Sequence, residues 1–178
     1  MNPEDEGMYI NFFLSELSTS FPYVKLFPWA TTKLFDTSSH NPSLQQSVLS
    51  VAALLAENRS EREHAQALDH LQKALQMLQS QISTFKIDEG VAISSFLLAH
   101  FSIMLGEHLT ARKHLDGMVI VLKNLNPENM QESVVSPLTI EPLTMLIWRM
   151  AKRIDIVSSI ACGEPPVMPR FLSLNEQG

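Results

Sequence analysis

Apolar residues recur along this chain at steps of three and four, the spacing that lines one face of an α-helix. In SLQQSVLSVAALLAEN, Leu44, Val48, Val51, Ala52 and Leu55 fall on one side. Asn41-Pro42 just ahead of it reads as a helix start, with Asn at the N-cap and Pro at the first helical position. Ser60-x-x-Glu63 has the form of a capping box. It opens a second helix whose stripe is Ala67, Leu71, Ala74, Leu78 and Ile82. The run DEGVAISSFLLAHFSIMLG is apolar nearly all round, with Asp88 placed to cap it and Gly106 placed to stop it. In EHLTARKHLDGMVIVLKNL, one face carries Ala111, Leu115, Met118, Leu122 and Leu125, and Asn126-Pro127 ends the pattern. A polar loop reaches Pro137, and Glu141-Pro142 then leads into LTMLIWRMAKRIDIVSSIAC. There Leu143, Leu146, Met150, Ile154, Val157 and Ala161 are expected on the buried side, with Gly163 and Pro165-Pro166 as the stop.

The remaining segments are less regular. Met8 to Leu17 is a short apolar stretch that suits a first helix. Phe21 to Phe35 is aromatic and holds Pro22 and Pro28, so it reads as an irregular, partly buried arm, or else as an exposed aromatic strip. No strand is convincing, although Ser133 to Ser136 suits a brief extended piece. Glu63-His64-x-x-Ala67-x-x-His70-Leu71 with Leu78 is echoed by Glu107-His108-x-x-Ala111-x-x-His114-Leu115 with Leu122. Their offset is about the length of a two-helix repeat. The expected fold is therefore all-α: stacked antiparallel helix pairs in an α-solenoid-like bundle of about six to seven helices. Residues 1–20 form an N-terminal segment, 21–170 the helical domain and 171–178 a tail.

Composition narrows the functional classes. At 178 residues, a single domain can bury about 70% of its unfolded surface, enough for a core without a metal or disulfide. The one cysteine, Cys162, excludes a disulfide within the chain and a cysteine-rich zinc module. With its acidic start and no long apolar run, the chain is expected to be intracellular and not in a membrane. Net charge is −6, and the basic residues are dispersed apart from Arg149, Lys152 and Arg153. Such a chain is expected to bind nucleic acid poorly by itself.

Candidate chemistry is sparse. His64 and His70, like His108 and His114, stand six residues apart, whereas a helix brings residues three or four apart onto one face. They read as packed or solvated helix histidines, and no metal is expected. His100 sits alone in an apolar helix and reads as a hydrogen-bonded core residue. Cys162 has no sequence signature pairing it with a base, and no phosphate loop or nucleophile elbow exists. No catalytic residue is assigned and no enzyme activity is expected. Asp155 either pairs with Lys152 or a group on another helix, or belongs to a solvated charged face. Gly117 in mid-helix costs about 1 kcal/mol relative to alanine, so close approach of another helix is expected there.

Several motifs together resemble the fungal-specific transcription factor domain, the helical regulatory region that follows the zinc binuclear cluster in fungal activators and repressors. They begin with Phe27-Pro28, Asn41-Pro42-x-Leu44 running into SVLSVAALLAE, and the helix with Ala74, Leu75 and Leu78. The Asp88-initiated apolar helix and His114-Leu115-x-Gly117-x-x-x-x-Leu122 come next. Trp148…Asp155-x-x-Ser158…Gly163-x-Pro165…Pro169 completes the set, which spans Phe21 to Pro169. The resemblance implies nuclear regulation of RNA polymerase II transcription through protein packing or effector sensing. It also implies protein partners, as a homo- or heterodimer with a related transcription factor, and leaves room for a small-molecule effector. The family's six-cysteine cluster is missing, so direct DNA contact and zinc are not expected of this chain; zinc enters only with a separate N-terminal cluster. The chain reads as an excised fragment or a short product. A tetratricopeptide-like interaction scaffold, favoured by the internal echo, is the alternative.

Overall fold

The computed structural model describes residues 7–13, 15, 28–56, 61–125 and 143–168 of the chain. The main helices are α1 (Pro28–His40), α2 (Pro42–Leu55), α3 (Glu61–Ser83), α4 (Glu89–Met104), α5 (His108–Leu125) and α6 (Leu143–Cys162). Residues 7–13 are helical as well, and no strand occurs among the described residues. The fold is all-α, as the periodicity predicts. Ser60, the Asn126–Pro142 region with the extended piece expected at Ser133–Ser136, Phe21–Phe27, Pro169 and the expected tail lie outside the described residues.

Two helix pairs form the centre. α2 packs chiefly on α3, and α4 packs chiefly on α5 across the short connection 105–107. Contact between α2 and α4 joins the pairs, so these two are the inner helices, and α6 closes the stack against α5 and α4. Burial follows from this placement. In α2 the residues from Ser47 to Leu54 are all buried, and in α4 every residue from Gly90 to Ala99 is buried. A helix enclosed on all sides needs an apolar surface all round, which is why α4 shows no one-sided stripe. The outer helices α3 and α5 keep one: Ala67, Ala74 and Leu78 on α3, and Ala111, Leu115, Met118 and Leu122 on α5. The internal echo thus falls on the two outer helices, with Ala67 and Ala111 in fully buried, equivalent places.

Three expectations change. Residues 28–35 belong to α1, so the second half of the aromatic arm is helical: Pro28 stands at the first helical position, where its missing N–H is not needed. Ile82 is exposed, because α3 outruns the core at its C-terminal end. On α6, Leu143, Leu146, Met150 and Ile154 are buried as expected, but Val157 and Ala161 face solvent together with Ile156 and Ile160. Asp155, Ser158 and Ser159 occupy the inner face of those last turns, where each finds a polar partner.

Candidate functional site

The polar side chains that the sequence singles out gather at two places, and both are helix ends. The first joins the starts of α2 and α4. Asn41 caps α2: its Oδ1 accepts from the Leu44 backbone N–H at 3.1 Å. Asp88 caps α4 in the same way, accepting from the Val91 N–H at 3.0 Å. The two caps also hold each other, since Asn41 Nδ2 donates to Asp88 Oδ1 at 2.9 Å and Oδ2 at 3.2 Å. Ser43 Oγ donates to Asn41 Oδ1 at 2.8 Å and lies 3.1 Å from Ser94 Oγ, which carries the network into the helix bodies. One carboxylate therefore faces two helix N-termini, where the partial positive charge of both favours it. Gly90 leaves room for this arrangement. A β-carbon there would sit 2.4 Å from Asn41 Nδ2 and 2.7 Å from its Cγ.

The second gathering folds the chain back after α6. Gly163 adopts φ +67°, the left-handed conformation that stops a helix cheaply only at glycine. The chain then returns along α6, and Asp155 holds it there. Its Oδ1 accepts from the Val167 N–H at 3.0 Å and its Oδ2 from the Met168 N–H at 2.8 Å. Asp155 is thus a backbone anchor, which replaces the expected pairing with Lys152 and the solvated-face reading. Ser158 Oγ donates to the Asp155 carbonyl at 3.0 Å. From α5, Arg112 reaches across with Nη1 on Ser159 Oγ at 3.0 Å and Nη2 on the Pro165 carbonyl at 2.6 Å. These contacts explain why polar residues occupy the inner face of the last turns of α6. They are satisfied there, and Met168 is buried beside them.

The other singled-out residues do not form a site. Pro42 opens α2 at its first helical position, and Trp148 is buried in the core on α6. Leu115 is fully buried on α5, and His114 is half-buried one residue before it. Burial holds the His114 imidazole below its ordinary pKa and pushes that of His100 down to about 4, so both favour the neutral form. His70 is buried and donates from Nδ1 to Gln46 Oε1 at 2.7 Å, tying α3 to α2. Gly117 has open space where a β-carbon would stand, with nothing within 4 Å. Among the described residues, no helix makes the close approach expected there. Cys162 borders an open depression with Gly106, Glu107 and His108. Among the described residues, no three His, Cys, Asp or Glu side chains come together as a metal site would require.

Sequence reading missed Arg112, Ser43, Ser94 and Gly90. Arg112 left one signal, its place directly beside Ala111 at the edge of the apolar stripe. The Ser43–Ser94 contact and Gly90 left none, since the groups that meet there are remote in the chain.

A family model described as the fungal specific transcription factor domain matches residues 8–175. No curated protein and no solved structure matches the chain. The family match covers nearly the whole sequence, and the chain belongs to that family, which supports a transcription-regulatory role.

Proposed function

We propose that this chain is a regulatory module that acts in the nucleus on RNA polymerase II transcription, through contacts with other proteins and not through DNA. The observation that carries the reading is the family match over residues 8–175. The structure adds support of a different kind. The polar motif residues Asn41, Asp155 and Ser158 are engaged in capping and anchoring backbone, which leaves packed helix surfaces as the module's working parts. A family of helical, non-enzymatic regulatory domains fits that use of side chains. Protein partners, including a related transcription factor as dimer partner, follow from the same reading. A small-molecule effector would act by favouring one packing of the stack over another.

The test is to tether the full chain to an unrelated DNA-binding domain and measure a reporter gene in a fungal cell. A several-fold change in reporter output, up or down, is expected, together with nuclear accumulation of a fluorescent fusion. A folded, nuclear, tethered chain that leaves the reporter unchanged would overturn the proposal. It would favour a helical-repeat scaffold with no part in transcription.

A further inference from the structure

The closing helix α6 carries a stripe that the core leaves uncovered. Arg149, Arg153, Ile156 and Ile160 follow one another at steps of four, three and four, so they share one face of the helix. Ile156 and Ile160 are 54% and 78% exposed, and Val157 beside them is 51% exposed. Arg153 is exposed, and Arg149 and Lys152 are half-buried. The stripe is therefore cationic over its first turns and apolar over its last.

No acid of α6 offsets these cations. Asp155 is the only acidic residue of the helix, and it is turned inward with its two oxygens on the Val167 and Met168 N–H groups. Glu164 lies past the helix stop at Gly163. From α5, Arg112 adds a fourth cation at the flank, held by two neutral acceptors, the Ser159 hydroxyl and the Pro165 carbonyl. Arg149, Lys152 and Arg153 also interact within the chain. A guanidinium has several N–H donors and an ammonium three, so each can hold a neighbour and still face a carboxylate. A chain of net charge −6 thus places four cations beside one exposed apolar patch.

We propose that this stripe docks an acidic, amphipathic helical peptide of a partner protein, with its carboxylates on Arg149 and Arg153 and its apolar side chains on Ile156 and Ile160. Charge selects that occupant. A second copy of the chain fits badly. Parallel pairing of two α6 stripes sets cation on cation, and antiparallel pairing sets Arg149 on Ile160 and Arg153 on Ile156. The chain's own residues 7–13 are seated elsewhere, with the Tyr9 hydroxyl donating to Gln66 of α3 at 3.4 Å and Phe13 in the core. An extended polyanion, whether DNA or an anionic bilayer, would meet the negative charge of the rest of the molecule, whereas a short peptide meets the stripe alone. From Arg149 to Ile160 the stripe is about 17 Å long, and a helix face is about 10 Å wide. The contact is thus small for a protein interface, and a dissociation constant on the order of 100 μM is expected.

This rests on the protein-contact reading above and names the partner's chemistry. A silent reporter would leave peptide binding to be measured, and a peptide that fails to bind would leave the transcriptional role standing. The test is fluorescence anisotropy of labelled helical peptides titrated with the full chain. Each peptide bears two leucines and two glutamates along one face, in one order or the other. One of the two orders should bind, and added salt should weaken it several-fold. The same peptide with lysine in place of glutamate should not bind. Ile160→Glu, at an exposed position, should keep the melting temperature and weaken binding several-fold. Arg153→Glu should weaken the glutamate peptide and strengthen the lysine peptide, a swap that misfolding cannot imitate. Neither order binding at several hundred micromolar chain, equal binding of the lysine peptide, or binding unmoved by both Ile160→Glu and Arg153→Glu would each overturn the proposal. Tighter binding to anionic phospholipid vesicles or to duplex DNA, lost in the same two variants, would overturn it as well.

Discussion

Asn41 and Asp88 each cap their own helix and, at 2.9 Å, also hold each other. The N-terminal ends of the two inner helices are thereby fixed side by side, 47 residues apart in the chain. A side-chain amide suits this double role, because its oxygen accepts from α2 while its nitrogen donates to the cap of α4. An aspartate at position 41 would cap α2 equally well but would confront Asp88 with a second carboxylate.

The two glycines on this scaffold should respond oppositely to alanine. Gly90→Ala drives a β-carbon into the buried Asn41 side chain and should cost about 1–2 kcal/mol, the worth of a helix cap. Gly117→Ala meets open space within a helix and should stabilise by up to about 1 kcal/mol. Urea denaturation of both variants checks the pair.

Asp155 should govern the order of the chain after α6. Asp155→Ala leaves the Val167 and Met168 N–H groups without their acceptors and should cost about 1–3 kcal/mol. Hydrogen exchange at those two amides should accelerate well before exchange in the α4 core does. Arg112→Ala should loosen the same turn more mildly, through loss of the Pro165 and Ser159 contacts.

Stability should fall as the solution is acidified through the histidine range. Burial places the folded pKa of His100 at about 4, below its ordinary value of 6.5. Between those values the unfolded chain binds a proton that the folded chain refuses, so stability rises with pH there by up to roughly 1.4 kcal/mol per unit. The loss on acidification begins near pH 6.5 and levels off below about 4. His100→Gln should flatten that part of the curve, measured by denaturation at a series of pH values. His114, shifted in the same direction, accounts for some of the slope that remains.

The helices were legible in the sequence because their causes are local. Asn41-Pro42, Asp88 and Gly106 mark ends that a few neighbouring residues determine, and the stripes of α2 and α5 need only a period. Partnership across the chain was not legible. Nothing near Asn41 says that its amide meets Asp88, and nothing near Gly90 says that its missing side chain makes space for Asn41. Gly117 shows the converse. A glycine in mid-helix looks like a packing requirement, but here it is merely tolerated. On α6 the apolar period predicted Val157 and Ala161 inside. Arg112 and the returning backbone, both remote, reversed the face by giving Asp155 and Ser159 buried partners. The family motifs were recognisable before their role was, because fastening one helix end to another is a relation between distant residues.

Among the motif residues, Asn41 and Asp155 fasten helix ends, and Asn41 with Asp88 is the sharpest instance. A double-mutant cycle on Asn41→Ala and Asp88→Ala, read by denaturant unfolding, probes that fastening without intermediaries. If the two caps act as one unit, the single variants should each cost about 1–2 kcal/mol. The double variant should then fall short of their sum by about 1 kcal/mol or more. Strict additivity would mean two independent helix caps with no fastening between them.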